Sequence, residues 1–78
     1  MEFTFLPHAL ERMELNAISE AEVRSVIEEA GEEGDANLGR RYSQKELGGR
    51  RIRVICNTGT GETVVVTVML RRKEGGSS

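Results

Sequence analysis

Five residues have the types and spacing for acid–base chemistry beside a phosphate group. His8 is the one side chain whose unperturbed pKa lies near neutrality, so it is the natural general acid or base. Glu11 follows one helical turn later and could orient the imidazole ring. Arg12, with Arg51 and Arg53 farther along, could hold a phosphate through bidentate hydrogen bonds. We therefore take His8, Glu11 and Arg53 as candidate catalytic residues.

A second group of cations could form a track for the phosphates of a nucleic acid. These candidate nucleic-acid-binding residues are Arg12, Arg41, Lys45 and Arg51. Residues 1–39 contain ten Asp and Glu and two Arg, a net charge of −8, whereas residues 40–78 contain nine Lys and Arg and three Glu, a net charge of +6. The basic half could face a polyanion, or its cations could simply pair with the acidic helices.

Each candidate also has an ordinary structural explanation. His8 could pack or cap locally at the start of a helix, and Arg12 could pair with acidic helix residues. A lone tyrosine on a strand, such as Tyr42, is typical of packing. Cys56 lies in an apolar strand pattern, which predicts a buried and inert thiol. The scattered acids, one His and one Cys lack the spacing of metal ligands, so we predict neither a metal nor a cofactor.

The main element that must position these groups is a predicted β-hairpin. Two β-rich runs, residues 50–57 and 62–70, flank a short glycine-containing loop. The first run alternates between an apolar face and a face with two arginines. The second run is apolar on nearly both faces and is typical of a central strand; one face has Val64, Val66, Val68 and Leu70, and the other has Thr63, Val65, Thr67 and Met69.

Two helices are predicted before the hairpin. Residues 1–6 are predicted to form a short edge strand, because Phe3 and Phe5 alternate with Glu2 and Thr4, and a helix follows from Pro7 to about Leu15. Ser19 and Glu22 form a capping box that begins the second helix, and Gly31 ends it. Residues 32–39 have too little apolar content to pack, which predicts an exposed loop. A third strand covers roughly residues 40–47.

This order of elements predicts an α+β fold with two N-terminal helices on one face of a three- to four-stranded antiparallel sheet. The other face stays open, and Arg51, Arg53, Thr63 and Thr67 are expected to point there. A chain of 78 residues has room for one small core, so we predict one domain over residues 1–73, with a disordered tail at 74–78. A homodimer would bury further apolar surface. The N-terminus lacks a basic start and a long apolar run, and no segment is apolar for long enough to span a membrane, which favours a cytoplasmic protein.

Three short motifs resemble a bacterial and archaeal family of small domains of unknown function. They are His8-Ala9-Leu10-Glu11-Arg12-Met13, Ile18-Ser19-Glu20-Ala21-Glu22-Val23 and Gly49-Arg50-Arg51-Ile52-Arg53-Val54. That family is similar to the RelE/ParE toxin superfamily. The resemblance covers roughly residues 3–70 and implies a fold like that of microbial ribonucleases, an open sheet face that receives RNA, the ribosome or a partner, and a cognate antitoxin protein.

The resemblance also implies a chemistry, and two hypotheses follow. The first is a metal-independent ribonuclease toxin in which His8 and the arginines assist attack of a 2′-hydroxyl on phosphorus. The second is a non-catalytic module that binds a protein or RNA through the open sheet face. Active toxins of the superfamily often have an aromatic residue near the C-terminus, whereas the last strand here ends Val68-Met69-Leu70. Whether the chain is an enzyme stays open at this point.

Overall fold

A five-stranded mixed sheet carries two helices on one of its faces. The computed structural model describes residues 2–58 and 61–71, the side chain of Arg71 excepted, so the predicted tail at 74–78 lies outside it. The elements are β1 (Glu2–Phe5), α1 (Pro7–Leu15), α2 (Glu20–Glu28), β2 (Glu32–Asp35), a 3-10 turn (Asn37–Gly39), β3 (Arg41–Leu47), β4 (Arg50–Thr58) and β5 (Glu62–Arg71). The strand order is β1-β5-β4-β3-β2, and β1 runs parallel to β5 while the other pairs are antiparallel. The α+β class is confirmed, but the sheet has five strands where three to four were predicted, and it is not purely antiparallel.

The two helices begin where the sequence predicts. Pro7 occupies the first turn of α1, where its missing N–H leaves no helical bond unmade. Ala9 and Met13 of α1, with Val23 and Val26 of α2, are buried against the sheet. Neither helix, nor any other in the described residues, is long and apolar enough to cross a membrane. The helices therefore serve as one wall of the core.

The capping box at the start of α2 is confirmed. The backbone N–H of Glu22 donates to Ser19 Oγ at 3.1 Å, and the Ser19 N–H donates to Glu22 Oε1 at 2.9 Å. The other oxygen of the same carboxylate, Oε2, accepts from Arg50 Nη2 of β4 at 2.6 Å. The Glu22 carboxylate thus both caps the N-terminus of α2 and links the helix to β4 of the sheet.

These bonds make stability depend on pH through Glu22. The Ser19 backbone N–H above all, and then the charge of Arg50, hold the pKa of Glu22 below its ordinary value of 4.5. The unfolded chain binds more protons in that range, so the stabilisation is complete above pH 4.5 and is lost as the pH falls through the folded-state pKa. In urea unfolding we expect Glu22→Gln to cost about 1 kcal/mol at neutral pH, because the pair is partly exposed. That difference should shrink below pH 4.5. A difference that does not change with pH would contradict this role.

Residues 32–35 form a strand where the sequence predicts a loop. The strand β2 pairs with β3, with Glu32 opposite Gln44 and Asp35 opposite Arg41. Its acidic side chains have partners on β3 in place of apolar contacts: Glu32 accepts from the Tyr42 hydroxyl at 2.9 Å, and Asp35 accepts from Arg41 Nη1 at 2.9 Å. Apolar content therefore failed as a predictor here because this edge strand is held by polar cross-strand pairs.

A β-bulge in β5 changes which residues of that strand face the core. Ile55 pairs with Thr67 and Cys56 pairs with Val65, so Val66 has no partner in the ladder. Thr63 and Val65 consequently join Val68 on the face that carries the helices, and Thr63 is 2% exposed there. The prediction that Thr63 lies on the open face was wrong, because strict alternation cannot continue through a bulge.

The core lies between this face and the helices. Its largest fully buried side chains are Ile52, Val23, Val26, Val54, Val65 and Val68. Cys56 is buried at its margin, as predicted, and burial raises the pKa of its thiol, which disfavours the reactive thiolate.

Candidate nucleic-acid interface

The face of the sheet opposite the helices carries a cluster of polar and basic side chains. In β3 and β4, residues opposite one another in register share a face, so Gln44 lies beside Arg53 and Glu46 lies beside Arg51. Tyr42, Ile55 and Thr67 continue this surface across the three central strands. We call it the open face. The core residues of β4 alternate with these positions and point toward the helices.

A stacked pair stands at the centre of the open face. The guanidinium carbon of Arg53 lies 4.4 Å from the centroid of the Tyr42 ring. Arg53 Nε donates a hydrogen bond of 2.9 Å to Gln44 Oε1, which fixes the guanidinium beside the ring. A cation over an aromatic face is held by the negative face of the ring quadrupole. Both the orientation and the position of the Arg53 side chain are therefore set before any ligand binds.

The tyrosine ring is itself held by the edge strand β2. Its hydroxyl donates to Glu32 Oε2, and one side of the ring lies so close to Gly34 that a Cβ at that position would sit 2.6 Å from Tyr42 Cε2. Only glycine leaves room for the ring here. The acidic β2 segment therefore holds the Tyr42 ring in place. The stack thus runs from the β2 backbone through Tyr42 to Arg53.

The hydrogen bond to Glu32 should be visible in the titration of Tyr42. Donation to the Glu32 carboxylate is the main cause that raises the pKa of Tyr42 above its ordinary value of 10.0. Glu32→Ala removes both the acceptor and the negative charge, so we expect the pKa to fall toward 10.0. Tyr42 is the only tyrosine and the chain has no tryptophan, so ultraviolet absorbance reports this residue alone. Glu33→Ala is the matched control, because Glu33 approaches Arg41 instead. Equal titration curves for both variants and the wild type would exclude this contact.

A groove of about 420 Å³ opens at one end of the stack. Its floor includes Tyr42, Arg53, Ile55 and Thr67, and its wall is formed by Arg40 and residues 35–37. The guanidinium groups of Arg40 and Arg53 make no ion pair within the described residues. The groove therefore combines positive charge, hydrogen-bond donors and a flat stacking surface.

The predicted catalytic residues are not brought together. His8 and Glu11 are exposed on α1, which packs on the helix-bearing face. Arg53 belongs to the opposite face, so the sheet lies between it and His8. The cause is the strand period: residues adjacent to the core positions Ile52 and Val54 must point away from the helices.

The predicted nucleic-acid-binding residues also divide between surfaces. Arg51 shares the open face with Arg53. Arg41 and Lys45 alternate with the open-face residues of β3, so they lie on the helix side; Arg41 approaches Glu33 and Asp35, and Lys45 Nζ lies 3.0 Å from Glu29 Oε1. Arg12 lies beside the end of β5. The single phosphate track expected from these cations is thereby reduced to Arg51 and Arg53 on the open face.

Three residues of the site escaped the sequence analysis, and a fourth was discounted. Arg40 is one of several cations at the start of the predicted third strand, Gln44 is uncharged, and Gly34 lies in a predicted loop, so none has a signal of its own. Tyr42 was assigned to packing. Pairing Tyr42 with an arginine required the register between β3 and β4, which places residues 42 and 53 diagonally on one face.

Comparison with known proteins gives a family without an assigned activity. No curated protein and no solved structure matches the chain. A family model described as Domain of unknown function (DUF4258) matches residues 5–70. Since the match covers most of the chain, the protein is a member of this family of domains of unknown function.

Proposed function

We propose that this domain binds single-stranded RNA on its open face. The observation that carries the proposal is the Arg53 guanidinium, which is stacked on Tyr42 at 4.4 Å and held by Gln44 without a carboxylate partner among the described residues. The Arg53 side chain is only partly buried, so an unpaired base can reach it. Stacking on aromatic and arginine planes is how proteins commonly hold single strands.

The charges around the stack support a phosphate backbone beside it. Arg40 and Arg51 flank Arg53, and neither forms an ion pair within the described part of the chain. Arg41 and Lys45 are compensated by acidic neighbours. A chain with a net charge of −2 thus has three arginines without an ion pair among the described residues, Arg40, Arg51 and Arg53, close to the stacking surface, where they attract phosphates without making the whole protein basic.

The resemblance to the RelE/ParE superfamily favours RNA over other polyanions. Placement in that superfamily, and a role as a toxin in a toxin–antitoxin system, remain part of the proposal. Ribonuclease activity through His8 has less support than binding, because His8 and Arg53 lie on opposite faces. We therefore expect RNA to be bound and to stay intact.

The test is a titration of a ten-nucleotide, mixed-sequence RNA labelled with a fluorophore, followed by anisotropy. We expect saturable binding that weakens with salt, with a slope of log K against log salt of about −2, as two to three phosphate contacts would give. A duplex of the same sequence should bind more weakly, since its bases are already stacked.

Two results would overturn the proposal. One is the absence of saturable binding at low salt. The other is cleavage of the RNA with metal chelated, on a denaturing gel, that disappears in a folded His8→Ala variant. In the second case the ribonuclease hypothesis would replace simple binding.

A further inference from the structure

The outer edge of β5 is only partly covered. The strand β1 pairs with residues 62–65 of β5 and ends at Phe5, and the Leu6 N–H donates the last bond, to the Val65 carbonyl. Beyond this point, over residues 66–71, no described strand lies on that side, and no backbone hydrogen bond joins it to another described segment. An uncovered edge of this length is a template for another strand.

A groove of about 430 Å³ lies between this edge and the end of α1. It is lined by Arg12 and Asn16 of α1 and by Val68, Met69 and Leu70 of β5. The side chain of Met69 points to the open face, since Met69 lies opposite Arg53, whereas the partly buried Leu70 is on the helix-bearing side and gives the groove an apolar surface. The Arg12 guanidinium is exposed and makes neither a hydrogen bond nor an ion pair within the described residues. The groove thus offers unpaired backbone, apolar surface and one uncompensated cation.

The charge of the edge selects its occupant. A second copy paired edge to edge through the same groove would bring a second Arg12 close to the first, which is unfavourable. The opposite edge of the sheet, β2, is acidic, but its Glu33 and Asp35 are already committed to Arg41. An extended segment with its own carboxylates would both neutralise the charge of Arg12 and pair with the backbone of the β5 edge.

We propose that residues 66–71 of β5 take up an extended, acidic segment of a partner protein as a sixth strand, with a carboxylate on Arg12. This surface differs from the open face, and the proposal does not depend on RNA binding. Main-chain bonds to the edge would provide affinity, and the carboxylate would provide selectivity.

The probe is an eight-residue peptide of alternating valine and glutamate, compared with its valine–lysine counterpart and with a glutamate peptide that is N-methylated at alternate residues. Calorimetry should show that the chain binds the first peptide and not the other two. Arg12→Glu should weaken this binding about tenfold or more, and Arg12→Gln by less. Arg24→Glu, the same charge change on α2, should have no effect. Amide hydrogen exchange should slow at residues 66–71 when the peptide is bound.

Three results would overturn the proposal: binding equal in wild type and both folded Arg12 variants, protection at Glu32–Asp35 in place of residues 66–71, or protection of 66–71 by dimerisation without peptide. The last would make a second copy the occupant. Each variant is first checked for the wild-type melting temperature, so a loss of binding cannot be a loss of folding.

Discussion

Replacing Arg53 with glutamine is expected to weaken RNA binding by about tenfold or more, which corresponds to the loss of one stacked base. The substitution removes the guanidinium plane that lies 4.4 Å from the Tyr42 ring, and it removes a charge that no described carboxylate compensates. Anisotropy at two salt concentrations is the measurement. The slope of log K against log salt should also become shallower, because the variant has one cation fewer near the phosphates.

The matched control is Arg24→Gln. Arg24 also stands near an aromatic ring, with its guanidinium carbon 5.3 Å from the Phe3 centroid, but it is exposed on α2 on the helix-bearing side. The substitution Arg24→Gln makes the same change in net charge as Arg53→Gln, but at a distance from the open face. If both variants lost affinity equally, binding would depend on overall charge, and the Tyr42–Arg53 stack would have no particular role.

The second large effect is expected at Arg50, and it concerns stability. Arg50 Nη1 donates to the carbonyls of Asn16 and Ala17, and Nη2 donates to Glu22 Oε2 at 2.6 Å. The residue therefore joins β4 to the connection between the helices, where Ala17 has a left-handed backbone with φ of 55°. Arg50→Ala should lower the free energy of unfolding by about 2 kcal/mol, because three charge-assisted bonds are lost at a site that is one-third exposed.

Urea unfolding measures this effect, and the loss is large for a domain of 78 residues. Arg50→Lys should be intermediate, since one ammonium group cannot reproduce the fork of a guanidinium. Arg51→Gln is the control: Arg51 is the next residue on the strand but points to the open face beside Glu46 and forms no ion pair within the described residues, so its cost should stay within about 0.5 kcal/mol. Equal costs for Arg50→Ala and Arg51→Gln would show that Arg50 does not hold the helical connection.

The parts of the fold that have local signals could be predicted from the sequence. Pro7 and the Ser19–Glu22 capping box begin the two helices at the positions observed, and the alternation of Ile52 and Val54 with arginines places the core face of β4 correctly. Each of these signals depends on residues close together in the chain. Such signals are independent of how the strands later pair.

Features that depend on pairing between distant residues could not be predicted in the same way. The strand at 32–35 is held by bonds from Tyr42 and Arg41, and the bulge at Val66 exists only relative to β4. Neither leaves a periodic pattern. The contact between Tyr42 and Arg53 is of the same kind: the sequence predicts the open-face arginine but gives no signal that pairs it with the tyrosine.

The candidate site shows why residue types alone were misleading. Histidine and arginine suggested one catalytic set, yet strand alternation already implied that Arg53 points away from the helices. His8 belongs to α1 and stays on the helix-bearing side. The topology therefore separates the predicted acid–base residue His8 from the open face.

The central claim is tested most directly by nuclear magnetic resonance of the open face during an RNA titration. Tyr42 is the sole tyrosine, so its ring protons form a single identifiable set of signals, and the Arg53 Nε–H can be followed beside them. If RNA binds on the open face, we expect the signals of both residues to shift in a saturable manner, with ring-current displacement from a stacked base, while the signals of α1 and α2 stay unchanged. Saturable shifts centred on His8 and the helices, with Tyr42 and Arg53 unaffected, would contradict it.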